Sequence, residues 1–104
     1  MIEEGVVGRM TQRIVERFSP QKVIAFGSWA RGEASPDSDI DFLVIMPYIG
    51  SKRDCQVSIR RELKEFPVPK DVIVISAEEL EREYTRSWSF YKMAVSEGKV
   101  LYEL

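Results

Sequence analysis

The 104-residue chain contains no histidine and one cysteine, Cys55. Without histidine there is no Ser-His-Asp or Cys-His nucleophile pair and no His-ligated zinc. A single cysteine excludes an intrachain disulfide and a thiolate zinc cage. That usage suits a reducing compartment, and the expected location is cytoplasmic. Charge of one sign is also scarce. Lys and Arg number 15 against 17 Asp and Glu, for a net charge of -2. Binding of a long nucleic acid therefore lacks its usual electrostatic drive. Long apolar runs are missing as well: the longest, Phe42 to Met46, falls far short of a membrane span. The stretch Met1-Ile2-Glu3-Glu4-Gly5 lacks the basic and apolar regions of a secretory signal. No repeat, low-complexity tract or Gly/Ser linker divides the chain. The chemistry left belongs to carboxylates, hydroxyls, Lys and Arg, and any metal the carboxylates can hold.

What is present fits one domain, residues 1–104. A chain of this length buries roughly two-thirds of the surface its unfolded form exposes, enough for one core. Ile2, Val6, Met10, Ile14 and Phe18 recur every four residues and predict an amphipathic helix over 2–18, ended by Ser19-Pro20. Lys22 to Gly27 reads as a strand stopped by glycine, and Ser28 to Ala30 as one helical turn broken at Gly32. Glu33 to Ser38 reads as loop. Ile40 to Met46 is a second strand, ended by Pro47. Ser51 caps a helix to about Glu65, with Cys55, Ile59, Leu63 and Phe66 on one face. Asp71 to Ser76 is a third strand. Ser76-Ala77-Glu78-Glu79 has capping-box spacing and opens a further helix near Leu80 and Tyr84. A last helix spans about Trp88 to Glu97, with Gly98 where a C′ glycine belongs. Lys99 to Leu104 reads as a short extended tail. The expected class is α/β (α+β), a small sheet covered by helices, with the strand order left open.

The chemistry concentrates between Gly27 and Asp41. Side chains alternate along a strand, so Asp39 and Asp41 point one way and Ile40 points to the core. Two carboxylates on one face repel each other and are best tolerated when a cation bridges them. Mg²⁺ prefers hard oxygen ligands and usually takes one or two carboxylates plus substrate phosphates. Asp37 also pairs with Asp39 as D-x-D, but it follows Pro36 in the loop, where strand geometry cannot align it. Asp71 opens the third strand. If that strand lies beside Asp41, its carboxylate can close a three-acid cluster. Such a cluster can hold two Mg²⁺ about 3.5–4 Å apart for in-line phosphoryl or nucleotidyl displacement. Gly27 lets the backbone approach a ligand, and Ser28 adds a hydroxyl and turn amides, making an anion seat. Arg31 either adds a phosphate contact or pins the loop. No P-loop is present.

Gly-Ser, ten residues, then Asp-x-Asp resembles the signature of the polymerase-beta-like nucleotidyltransferase superfamily. The fuller text G-S-W-A-R-G-E-A-S-P-D-S-D-I-D-F-L-V resembles its minimal stand-alone branch, the MNT proteins. D-V-I-V-I-S is similar to the strand carrying the third carboxylate of that family, and S-F-Y-K-M-A-V-S-E-G-K-V-L-Y-E to its closing helix and tail. The resemblance spans about residues 5–103. It implies the nucleotidyltransferase fold, a small mixed sheet flanked by helices, with MgATP as nucleotide donor. It places Gly27 and Ser28 at the phosphates, and assigns Asp39 and Asp41 to metal, with Asp71 as third ligand or general base. It also implies a HEPN-domain partner in a toxin–antitoxin system, in which a tyrosine of the toxin is adenylylated. Larger relatives carry a second domain for the acceptor. Here a partner, or a second copy in a homo-oligomer, would have to supply that surface.

Other readings stand beside these. A nucleotidyltransferase-like chain can also silence a partner by contact alone, with an idle site, or modify RNA or a small molecule. Lys52, Arg53, Arg60, Arg61 and Lys64 make the third helical segment basic, either as a solvated face or as a surface for an acidic partner or RNA. Trp88, Phe90 and Tyr91 are too close in sequence to share one helix face, so at least one faces outward as a candidate interface anchor. Cys55 reads as a small hydrophobe.

Overall fold

The computed structural model describes residues 3–33 and 39–104. Residues 34–38 of the segment read as loop, Asp37 among them, lie outside them. In chain order the elements are α1 (Glu4–Phe18), β1 (Lys22–Phe26), β2 (Ile40–Ile45), α2 (Lys52–Glu62), β3 (Lys70–Ile75), α3 (Ala77–Glu83), α4 (Phe90–Glu97) and β4 (Lys99–Glu103). The four strands form one sheet in the order β3-β2-β1-β4. β1 runs antiparallel to both β2 and β4, and β2 runs parallel to β3. The sheet is therefore mixed, as expected.

The alternation of each strand divides the core in two. On one face Val23, Ala25, Phe42, Val44, Val72 and Val74 pack with Val7, Met10 and Ile14 of α1 and Ile59 of α2. On the other, Ile24, Phe26, Leu43, Ile45 and Ile75 meet Leu80 of α3 and Phe90, Tyr91, Ala94 and Val95 of α4. β2 is central and buried on both faces, as a strand covered on both sides must be. Along its six residues only Asp41 reaches the surface. A carboxylate thus interrupts an otherwise continuous apolar strand.

Helix boundaries follow local chemistry. Ser51 Oγ accepts the Asp54 amide at the start of α2. At α3 the capping box forms in full: Ser76 Oγ accepts the Glu79 amide and Glu79 accepts the Ser76 amide. Ser89, not Trp88, caps α4, and Trp88 is 70% exposed while Phe90 and Tyr91 pack on the core.

Two expectations change at the C-terminus. The extended tail is β4, a full strand paired to β1 with an irregularity between Val23 and Ile24. Gly98 is the last cap of α4 in extended backbone (φ -79, ψ 166), not a left-handed C′ glycine. Its need is space: a Cβ there would overlap Ile24 Cγ2 and lie 2.9 Å from the Ala25 carbonyl oxygen. The missing side chain lets the end of α4 close directly onto β1.

β3 is an edge strand whose backbone donors are occupied by side chains. The Val72 amide donates to Asp71 Oδ1 (3.0 Å) and the Val74 amide to Gln56 Oε1 of α2 (2.9 Å).

Candidate active site

The site lies where β1 ends and β2 and β3 begin. Antiparallel pairing of β1 with β2 sets Phe26 opposite Asp41, and parallel pairing of β2 with β3 sets Asp41 opposite Asp71. Partners in register share a sheet face. Asp41 is on the face of Leu43 and Ile45, and Asp71 on that of Ile73 and Ile75, so both carboxylates occupy the α3/α4 side of the sheet. The Ile40 amide donates to the Pro69 carbonyl (3.0 Å) and ties the start of β2 to the segment before β3. Asp39 precedes β2 and is exposed.

The turn after β1 completes this end of the sheet. Gly27 has φ +80, a conformation that favours glycine. A Cβ at position 27 would overlap Asp41 Oδ2. Ser28 then starts the expected helical turn. The Arg31 amide donates to the Gly27 carbonyl (3.2 Å), the Gly32 amide to Trp29 (3.1 Å) and the Glu33 amide to Ser28 (2.9 Å). With Gly32 at φ +75, the last two bonds have the pattern of a Schellman stop. Arg31 pairs with Glu33 across the turn (Nε–Oε2 3.3 Å).

Electrostatics focus on Asp41. Burial pushes its carboxyl above the usual carboxylate range, and the negative charges of Asp71 and then Asp39 push it further, while Arg31 opposes them. Asp71, Asp39 and Arg31 therefore all act on the Asp41 carboxyl. Asp71 also lies 3.8 Å from Arg60 Nη1 of α2. Among the described residues, no trio of acidic or cysteine side chains is already drawn together as a metal cage. A closed cage is not what a hard divalent ion requires. Mg²⁺ keeps several waters and completes its shell from substrate phosphates. A partly buried carboxylate flanked by two others presents hard oxygen donors and a shortage of positive charge, and in that respect the donor set fits such an ion.

All six residues singled out by sequence, Gly27, Ser28, Arg31, Asp39, Asp41 and Asp71, thus stand at one end of the sheet. A family model described as "Nucleotidyltransferase domain" matches residues 8–101. The chain belongs to the nucleotidyltransferase domain family. This nucleotidyltransferase is 34% identical, over 98% of its own length and all of the other protein, to MJ0604 of Methanocaldococcus jannaschii, named for protein adenylyltransferase activity. Over 41 residues (39% of this chain, 41% of the other) it is 42% identical to the protein adenylyltransferase MntA of Thermococcus cleftensis. Its fold is similar to that of a crystal structure from Sulfolobus solfataricus named as a nucleotidyltransferase. That match has TM-score 0.66 and 22% identity, and covers 95% of this chain and 78% of that one. It is also similar in fold to a chain of a toxin–antitoxin crystallised with AMP-PNP, with TM-score 0.57 and 19% identity over 99% of this chain and 75% of that one.

Several contacts around this nucleotidyltransferase site escaped the sequence reading. Arg60 was legible only as part of a basic helix, and its approach to Asp71 depends on how α2 crosses the edge of β3. Gln56 carried no signal at all. At the opposite end of β2, an apolar cavity of ≈ 470 Å³ is lined by Phe18, Met46, Tyr48, Ile49 and Cys55, remote from the carboxylates along the strand. Cys55 is half-buried there and packs against the core, and burial pushes its thiol up. No helix among the described residues is long and apolar enough to cross a membrane.

Proposed function

We propose that this nucleotidyltransferase uses Mg²⁺ to transfer AMP from ATP to a protein hydroxyl, a tyrosine of a HEPN-type toxin partner, and thereby acts as an antitoxin. One observation carries the reading: Asp41 sits in register with Asp71 and against Gly27, so two carboxylates stand beside the glycine turn. The acceptor class is supported by relatives named protein adenylyltransferases, and the antitoxin role by the toxin–antitoxin fold neighbour.

Asp39 and Asp41 are the residues that would hold the divalent ions, with Asp71 as the third ligand. When bound, such ions neutralise the triphosphate and acidify the attacking hydroxyl. Gly27 brings the backbone close to the phosphates without a side chain in the way, and Ser28 supplies a hydroxyl donor. Arg31 adds positive charge at the same corner. The acceptor oxygen forms a bond to the α-phosphorus while the α–β bridging bond breaks. The electron pair leaves with pyrophosphate, and the hydroxyl proton passes to Asp71. The toxin, or a second copy of this chain, contributes the remaining acceptor surface.

Co-expression with the partner tests this. Intact-mass measurement should show one adenylyl increment on the toxin, lost with Asp41→Asn. Neutralisation without any increment, surviving Asp39→Ala/Asp41→Ala, would instead mark inhibition by contact; the exposed Trp88 is the observation favouring that second reading. Label from ATP appearing on RNA ends or small molecules with no protein partner would move the acceptor to another class.

A further inference from the structure

α2 is electrically two-sided. Its last-turn acid Glu62 pairs with Arg17 of α1 (3.7 Å), and Glu65, just beyond the helix, pairs with Arg13. These acids turn toward α1. On the side toward β3, Arg60, Arg61, Lys64 and Lys70 line a depression of ≈ 470 Å³ floored by Val57. Among the described residues, the only ion pair these four cations make is Arg60 with Asp71. Lys70 Nζ donates to the Phe66 carbonyl (3.0 Å). With only Arg60 paired among the described residues, this depression of a chain with net charge -2 carries a local excess of positive charge.

We propose that this depression is the docking site for an acidic segment of the protein acceptor, holding it beside Asp71. The inference rests on the adenylyl-transfer reading above and adds to it how the acceptor is recognised. Three points favour a run of Asp or Glu side chains. The charge is complementary. The acidic balance of the whole chain opposes binding of a long phosphate backbone instead. It also reaches the site directly, since Arg60 lies along it and touches Asp71. An acceptor held there has its hydroxyl brought toward the carboxylates by the same contact that binds it. Charge complementarity at such a surface speeds encounter and fixes orientation.

The test uses the full chain and a fluorescent deca-glutamate peptide as probe. Wild type should bind it with an affinity that falls as salt rises. Arg61→Glu/Lys64→Glu changes two exposed groups that make no ion pair among the described residues, and should weaken binding at least about tenfold while leaving MgATP binding unchanged. Arg61→Gln/Lys64→Gln should give an intermediate loss. Equal binding of the peptide by the charge-reversed variant would overturn the proposal, as would tighter binding of an oligouridylate of matching charge. If MgATP binding is absent in the wild type while the peptide still binds through Arg61 and Lys64, the transfer reading has failed and the docking site has not.

Discussion

Asp41 Oδ2 occupies the space into which any side chain at position 27 would have to grow. The absence of a Cβ at Gly27 and the position of the Asp41 carboxylate are therefore one structural fact. Gly27 also holds φ +80, so a side chain there meets strain from the backbone as well as from the carboxylate. Gly27→Ala should cost about 1–3 kcal/mol of stability and displace Asp41. The expected outcome is a lower Tm together with a loss of transfer activity that added Mg²⁺ does not restore. An unchanged Tm would contradict the overlap.

Asp41→Asn should separate stability from function. The folded carboxyl titrates above its ordinary value because burial and the charges of Asp71 and Asp39 disfavour the anion. The folded form therefore binds this proton more tightly than the unfolded chain does. Its contribution is favourable at low pH and is lost as pH rises through the acid range to the raised folded value. At neutral pH the ionised group is a liability that Asn removes. The variant should melt higher than wild type without divalent ions, by thermal denaturation at pH 7. Mg²⁺ should raise the Tm of wild type and not of the variant, and turnover should fall at least about a hundredfold.

Glu79 stabilises the end of the sheet remote from the carboxylates. It accepts from Tyr48 Oη (2.9 Å) and the Ser76 amide (3.0 Å), and pairs with Lys52 Nζ (3.1 Å). Lys52 in turn lies 5.5 Å from the Tyr91 ring centroid. Burial alone would raise the Glu79 carboxyl, but hydrogen bonds from Ser76, Lys52 and Tyr48 outweigh it and bring it from 4.5 to about 2. A depressed folded value gives stability that is complete above the unfolded value and lost as pH falls from about 4.5 toward about 2. Glu79→Gln should flatten the Tm-against-pH curve in that window. Glu79→Ala should cost about 1–3 kcal/mol near neutrality, read from the denaturant midpoint.

Gly98→Ala tests whether the glycine is needed for room or for conformation. Its backbone is one that alanine adopts freely, so a helix-stop role predicts almost no effect. Overlap with Ile24 and the Ala25 carbonyl predicts destabilisation of about 1–3 kcal/mol, measured by urea unfolding.

Features that depend on neighbours in sequence were legible before any coordinates. The capping box at Ser76 and Glu79, the helical period of α1 and the strand stopped at Gly27 are all set within a few residues. The end-of-strand positions of Gly27, Asp41 and Asp71 followed from the same local signals. Strand order did not, because the choice of β1 as neighbour to both β2 and β4 is made by packing between distant segments. Lys99 to Glu103 was legible as extended chain, but its pairing to β1 as β4 was not, because it depends on how closely α4 approaches the sheet at Gly98. Arg60 with Asp71, and Glu79 with Tyr48 and Lys52, join residues far apart in the chain, and no spacing rule anticipates them.

The side chains lodged on β3 have a consequence for self-association. An outermost strand with free backbone donors invites a foreign segment to pair with it. Here Asp71 and Gln56 already engage the Val72 and Val74 amides. A second chain can lengthen the sheet from this flank only by evicting both, and one of those blocking groups is a carboxylate proposed for the chemistry. The residue assigned to the reaction therefore also guards the molecule against edge-to-edge polymerisation.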